Sequence, residues 1–282
     1  MVPAKSRLGQ NFLHDEQAIE RIVAALGDCS GRTVVEIGPG RGAITRGLSK
    51  KAARVIALEF DEALAKPLVS EYSGADGNVT VENIDVLAFD FAAASHASGQ
   101  KLIVVGNLPY YITSPILTKL AESAVVLDRA VLMVQREVAE RVTATPGSRE
   151  YGLLSVAVQL HGSVQQLFTL PPSAFSPPPQ VHSTVLRWRF AARFEELGID
   201  RGSFLAFLRR VFALKRKTLA NNLRAARFDP QTIKKTLESV GIEPMARAEA
   251  LTIETLAALW RVLKREGAIP SAEMTPSSEI EF

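Results

Sequence analysis

Five short apolar runs recur through the first half of the chain: Thr33–Gly38, Arg54–Glu59, Val79–Asp85, Lys101–Gly106 and Arg129–Gln135. Each reads as a strand, and several are near-continuous apolar runs rather than clean alternations, the pattern of strands covered by helices on both faces. Helical patterns lie between and around them at Glu16–Leu26, Ala43–Lys50, Glu62–Tyr72, Ile116–Ala124 and Glu137–Thr143. Strands joined through helices at this spacing run parallel, so the sequence predicts an α/β fold with a doubly wound, Rossmann-like sheet.

The pattern then changes. Ser155–Leu170 and Ser183–Phe190 read as two extended segments joined by the proline-rich stretch Pro171 to Pro179. With no helix between them they predict an antiparallel pair closing one edge of a seven-stranded, mostly parallel sheet. After Phe190 only helical patterns remain, at Ser203–Leu214, Thr218–Ala226, Gln231–Val240 and Ile253–Glu266. The division expected from sequence is therefore a sheet domain over 1–190 and a small all-helical domain over 191–266. A tail over 267–282, rich in Ser, Pro and Glu, is expected to be disordered.

The sharpest local motif is Val35-Glu36-Ile37-Gly38-Pro39-Gly40-Arg41-Gly42, between the first strand and a helix. Gly38 and Gly40 permit a tight turn and let a ligand approach the main chain, although glycine-rich loops also serve as plain turns. Glu59 ends the second strand, where a carboxylate can accept hydrogen bonds from ribose hydroxyls or simply sit at the surface. The spacing is G-x-G-x-G with an internal proline, not the G-x-G-x-x-G that seats a pyrophosphate. Asp85 ends the third predicted strand and is placed to hold an adenine amine. Gly, Glu and Asp on successive strand ends describe a site for an adenosine without phosphates, and S-adenosylmethionine is such a ligand.

The fourth strand ends in Gly106-Asn107-Leu108-Pro109-Tyr110-Tyr111. An exocyclic amine on a base is a poor nucleophile because its lone pair is delocalised into the ring. Two neutral acceptors for its N–H groups would orient it and favour a tetrahedral nitrogen. Asn107 can supply one through its side chain and Leu108 the other through its carbonyl. Pro109 stiffens the turn, and Tyr110 offers a face for an extruded base. The same residues would also make an ordinary strand-ending turn. Phe175, beside Ser176-Pro177-Pro178-Pro179, could cover the base from its other side or pack in the core.

The net charge is only +3, yet ten basic residues and one acid lie between Arg201 and Lys235. That run carries +9, leaving −6 for the remainder. Arg209, Arg210, Lys215, Arg216, Lys217 and Arg224 could form a solvated helix face. The single sign of the run equally suits a phosphate backbone. The lone Cys29 excludes an internal disulfide and any cysteine-rich metal site. No apolar run reaches the ~18 residues of a spanning helix, and no basic start leads into an apolar stretch.

Taken together the motifs resemble the small-subunit (16S) rRNA adenine-N6 dimethyltransferases. The likeness runs from Leu8 to about Arg265 and rests on LGQNFL at 8–13, VVEIGPGRGAIT at 34–45, ALEFD at 57–61, NID at 83–85, VGNLPYYITSPIL at 105–117, the segment 133–156, FSPPPQVHST at 175–184 and RKTLANNL at 216–223. It implies a class I methyltransferase fold that uses S-adenosylmethionine and no metal. Asn11, Leu13, Gly38, Glu59, Asp85 and Asn107 would line the cofactor site. Asn107, Leu108, Pro109, Tyr110 and Phe175 would hold the target adenine. It further implies a cytoplasmic monomer that dimethylates two adjacent adenosines in a 3′-end hairpin loop of 16S rRNA within an assembling small subunit, with the helical domain gripping RNA. Two departures stand out: Lys5 and Arg7 are the only basic residues before Leu8, and the acidic tail has no counterpart. Two alternatives are a large-subunit rRNA adenine-N6 methyltransferase of the macrolide-resistance type and a non-catalytic rRNA-binding assembly factor.

Overall fold

The computed structural model describes residues 10–74 and 77–269. Lys5, Arg7, Leu8 and most of the tail expected to be disordered lie outside the described residues. In chain order the elements are β1 (Phe12–Leu13), α1 (Glu16–Ala25), β2 (Thr33–Ile37), α2 (Thr45–Leu48), β3 (Arg54–Glu59), α3 (Glu62–Tyr72), β4 (Val79–Asn83) and α4 (Phe91–Ser98). They continue with β5 (Leu102–Asn107), α5 (Thr113–Glu122), β6 (Leu127–Gln135), α6 (Arg136–Val142), α7 (Leu153–Gln159), β7 (Gly162–Leu170), β8 (Phe175–Ser176) and β9 (Ser183–Phe190). Four helices follow: α8 (Arg201–Val211), α9 (Leu219–Ala225), α10 (Pro230–Val240) and α11 (Ile253–Arg265). Many helices start at a short polar side chain that accepts a free first-turn N–H, as Asp15, Asp61, Asp90 and Asp229 do for α1, α3, α4 and α10.

The large sheet has the order β4-β3-β2-β5-β6-β9-β7. β4, β3, β2, β5 and β6 are parallel, and β9 is antiparallel to β6, with Arg129 opposite Arg189 and Gln135 opposite Ser183. The fold class read from the sequence is thus observed. From β2 the chain winds outward through β3 to β4, then returns to β5 on the other side of β2. The crevice at the carboxyl ends of β2 and β5 is therefore the topological switch point, where α/β sheets bind ligands. Gly106 permits the close pairing there: a Cβ on it would lie 2.8 Å from the Ile37 carbonyl oxygen.

Contacts divide the described residues into two units: 10–139 with Ser163–Ala191, and Glu140–Gly162 with 192–269. The sheet unit has an apolar cluster that includes Ile22, Val34, Ile103, Val131 and Phe175. The helical unit is built around Phe204, Leu208, Leu223 and Trp260, with the Phe204 and Trp260 rings edge-on at 6.0 Å.

Three readings are corrected. Ser155–Leu170 is not one extended segment, because α7 runs to Gln159 and β7 begins only at Gly162. Leu154–Val158 are buried on every side, so the continuous apolar run that resembled a buried strand belongs to a buried helix instead. This also moves the division at 190/191: Tyr151, Val156, Ala157 and Leu160 pack in the helical unit's core. The third strand stops at Asn83, and Asp85 caps a 3-10 turn, its Oδ1 accepting the Leu87 N–H at 2.9 Å. Helix α4, absent from the sequence reading, follows Asp90, which accepts two N–H bonds, and ends at left-handed Gly99.

Candidate active site

A cavity opens at the switch point, lined by Gln10–Leu13, Glu36, Gly38–Arg41, Glu59 and Asn107–Tyr110. Of the residues singled out from sequence, Asn11, Leu13, Gly38, Gly40, Glu59, Asn107, Leu108, Pro109 and Tyr110 all meet there. Asp85 and Phe175 do not line it.

Each wall has a local cause. Gly38 and Gly40 adopt φ of 65° and 59°, the left-handed region that glycine enters without strain. A Cβ on Gly40 would lie 3.1 Å from the Phe12 ring. The loop is fixed to β3: Gly38 N–H donates to the Leu58 carbonyl at 2.9 Å, and Gly40 N–H to Glu59 Oε2 at 2.9 Å. Glu59 Oε1 accepts the Asp61 N–H, also at 2.9 Å. Only 4% exposed, Glu59 has its carboxyl pushed up from the usual range by burial, opposed by those N–H bonds. Each of its oxygens keeps a further acceptor position, as a ribose diol requires.

β1 forms the opposite wall. It pairs antiparallel with β8, placing Phe12 against Ser176 and Leu13 against Phe175, and the His14 N–H donates to the Ala174 carbonyl at 3.0 Å. Two motifs more than 160 positions apart in sequence are thereby one structure. Phe175 is 2% exposed, and its ring packs in the apolar cluster behind this wall.

Asn107 Nδ2 donates to the Asn11 carbonyl at 3.1 Å. That bond fixes the side-chain amide and leaves Oδ1 as an acceptor. Leu108 is buried, and its N–H donates to the Met133 carbonyl at 3.0 Å. The Pro109 carbonyl is held by the Ile112 N–H and the Thr113 hydroxyl. The Tyr110 hydroxyl is 2.8 Å from the fully buried Ser183 Oγ, which pins the ring from behind.

Sequence reasoning missed Phe12, Arg41 and Glu36. The Arg41 guanidinium sits 4.4 Å above the Phe12 ring, joining loop to arm. Glu36 could have been noticed as a carboxylate inside an otherwise apolar strand. It is 1% exposed, and the Thr45 hydroxyl donates to it at 2.6 Å. Burial pushes its carboxyl up to about 7, and the nearby Glu59 adds to the shift. An unfolded chain loses this proton near 4.5, while the folded protein keeps it, so stability falls as pH rises across that window. Glu36→Gln keeps an acceptor for Thr45. It is expected to stabilise the protein at about pH 8 by on the order of 2–3 kcal/mol, with little gain at about pH 5. Urea unfolding at both pH values measures this; parallel pH profiles for variant and wild type would refute it.

In the helical unit, Arg210, Lys215, Arg216, Lys217 and Arg224 are exposed and Arg209 is half-buried. None of the six joins an ion pair among the described residues. The turn that carries three of them is tied to buried Asn222, whose Oδ1 accepts the Leu214 N–H at 2.8 Å and whose Nδ2 donates to the Leu214 carbonyl at 3.3 Å. Arg216 holds a left-handed φ of 68°, a conformation costly for a side chain with a Cβ. No helix is long and apolar enough to cross a membrane, and no cluster of His, Cys, Asp or Glu suited to a metal occurs among the described residues.

The family model for ribosomal RNA adenine dimethylase matches residues 1–264. A protein of Acidobacterium capsulatum named ribosomal RNA small subunit methyltransferase A is 55% identical over 92% of this chain and 91% of its own length. The protein of the same name from Koribacter versatilis is 47% identical over 93% of this chain and 95% of its own. Among solved structures, a dimethyladenosine transferase from Plasmodium falciparum shares the fold, at 24% identity and TM-score 0.78, over 91% of this chain and 98% of that one. The 23S rRNA methyltransferase ErmE follows at 25% identity and TM-score 0.70, over 90% and 100%.

Proposed function

The chain belongs to the ribosomal RNA adenine dimethylase family, and on that premise we propose which RNA it serves and how its own residues carry the reaction. The protein is an enzyme that dimethylates adenine in ribosomal RNA with S-adenosylmethionine as methyl donor. Its substrate is 16S rRNA within an assembling small subunit, at N6 of two adjacent adenosines in a 3′-end hairpin loop, and it acts as a cytoplasmic monomer. The small-subunit name of relatives at 47–55% identity supports this over the large-subunit alternative, whose solved representative is only 25% identical.

The observation that carries the mechanism is the Asn107–Asn11 bond. With Nδ2 committed to a carbonyl, Oδ1 is the side of the amide left to accept one N–H of the target amine. The Leu108 carbonyl accepts the other, and the pair hold the nitrogen lone pair out of the ring. Tyr110, pinned by Ser183, supplies the stacking face for the extruded adenine. Bound S-adenosylmethionine supplies an electrophilic methyl group. Glu59 accepts the ribose hydroxyls, and Gly38 and Gly40 let the nucleoside lie against the main chain, while Asn11 and Leu13 close the site. A general base is unnecessary beforehand, because the amine proton becomes acidic only once nitrogen is alkylated. The glycine cradle, the buried carboxylate and the absence of a phosphate-seating loop suit that cofactor.

The helical unit binds RNA backbone through Arg209, Arg210, Lys215, Arg216, Lys217 and Arg224. Transfer of labelled methyl to unmethylated small subunits, followed by nucleoside analysis, tests the reading. N6,N6-dimethyladenosine in 16S rRNA is expected, and modification confined to large-subunit RNA would overturn it. In binding titrations across salt, reversing Arg216, Lys217 and Arg224 to Glu should weaken RNA binding and reduce its salt slope by about three, with cofactor affinity unchanged.

A further inference from the structure

The amino-terminal ends of the strands carry a basic surface of their own, at the end of the sheet opposite the cavity. β3 starts at Arg54, Arg32 immediately precedes β2, Lys101 precedes β5, and Arg129 is the third residue of β6. β9 runs antiparallel to β6, so its last residues reach the same edge: Arg189 faces Arg129, and Arg187 faces Val131. The edge is knitted together. Ala53 and Arg54 N–H donate to the Arg32 carbonyl at 3.1 and 3.3 Å, and the Arg32 guanidinium donates to the Lys101 carbonyl at 2.9 Å.

A groove there is lined by Asp28, Arg32, Arg129, Arg187 and Arg189, among others. Two of its guanidinium groups serve the fold. Arg129 donates to the Leu26 and Asp28 carbonyls at 2.5 and 2.7 Å, capping the end of α1, and pairs with Asp128 at 2.5 Å. Arg32 pairs with the same carboxylate at 2.9 Å. The other acid, Asp28, accepts the Ser30 N–H and hydroxyl at 3.0 and 2.8 Å. Both carboxylates are thus already engaged. Arg187 makes one contact, to the Gln165 amide oxygen at 3.2 Å, and exposed Arg189 joins no ion pair among the described residues. Like charges directly opposite in an antiparallel register repel, and an anion between Arg129 and Arg189 would relieve that.

We propose that this edge is a second RNA-binding surface, on which Arg187 and Arg189 hold phosphodiesters of a different rRNA segment from the one entering the cavity. Arg129 lies four residues before Met133, the cross-strand partner of Asn107, or about 13 Å along the strand. That is beyond the reach of one flipped nucleotide, so the phosphodiesters held at this edge are not those of the target adenosine. Guanidinium pairs suit phosphate oxygens, which they meet with two parallel hydrogen bonds.

The inference rests on folded rRNA being the substrate. The test is binding of Arg187→Glu/Arg189→Glu to unmethylated small subunits and to protein-free 16S rRNA across salt. On both ligands Kd should rise at least about tenfold and the salt slope fall by about two, with S-adenosylmethionine affinity unchanged. Arg187→Lys/Arg189→Lys should keep most of the affinity. If cofactor affinity shows that the reversed variant is misfolded, Arg187→Gln/Arg189→Gln is judged by the same criteria. Unchanged Kd and slope would overturn the proposal. So would a loss on subunits alone, which would assign the edge to an acidic ribosomal protein. Failure of the parent reading appears elsewhere, as absence of dimethyladenosine from the 16S rRNA of unmethylated small subunits treated with the wild-type enzyme.

Discussion

Asn107→Ala is expected to slow methyl transfer by about 10³-fold while affinity for small-subunit RNA stays close to that of the wild type. The side chain's acceptor oxygen matters most as the amine nitrogen becomes tetrahedral, so its loss acts on the transition state more than on the bound complex. RNA contacts elsewhere persist. The Asn11 carbonyl loses one neutral hydrogen bond, costing about 1 kcal/mol, so a small decrease in cofactor affinity accompanies the large decrease in rate. Asn107→Asp makes the sharper comparison. It restores an acceptor oxygen but replaces the Nδ2 donor with a second oxygen about where a carbonyl already lies 3.1 Å away. The carboxylate must then turn away from Asn11, and the variant should be nearly as slow as the alanine one. Single-turnover transfer with saturating cofactor separates rate from binding. Near-normal transfer by either variant would remove Asn107 from its role.

The parts of this fold legible in the sequence are those whose determinants are local. Strands β2, β3, β5 and β6 announce themselves as apolar runs, and helices such as α3 and α10 as amphipathic stretches behind Asp61 and Asp229. Leu153–Gln159 failed because burial on all sides erases the periodicity that separates helix from strand. The domain division then failed with it, since nothing local tells a buried helix which core it belongs to.

The site divides along the same line. Gly38, Gly40, Glu59 and Asn107 were legible because each lies at or just beyond a strand end, and a parallel sheet brings neighbouring strand ends together. Phe12 was not: its place depends on β1 pairing with β8, a contact between distant segments that no local spacing encodes. Phe175 was legible with two surroundings open, base or core; its backbone pairs at the cavity wall and its ring lies in the core cluster. Asp85 was placed on a strand end and lies two residues beyond it, the strand having ended at Asn83, whose side chain donates to the Glu59 carbonyl at 2.8 Å. The basic edge at Arg187 and Arg189 was invisible for a different reason: its charges are scattered along the chain, and only sheet order assembles them.

Glu59→Gln is expected to raise the Kd for S-adenosylmethionine by about 100-fold, close to the effect of Glu59→Ala, although glutamine is nearly isosteric. Both carboxylate oxygens are already acceptors, Oε2 for Gly40 N–H and Oε1 for Asp61 N–H. Whichever way the glutamine amide turns, its NH₂ meets one of these donors, leaving a buried N–H without a partner and the loop displaced. The ribose loses an acceptor at the same time. At saturating cofactor most of the methyl-transfer rate should return, because Asn107, Leu108 and Tyr110 stand on β5 and the turn after it, and not on β3. The pH dependence provides an independent check. Burial raises the Glu59 carboxyl above the usual range, so wild-type cofactor binding should weaken on acidification as that group takes a proton, whereas the glutamine variant should show no such step. Titration calorimetry on both proteins across pH measures the two effects together; a glutamine variant that binds as tightly as wild type would show that the carboxylate supports cofactor binding neither through the loop nor through the ribose.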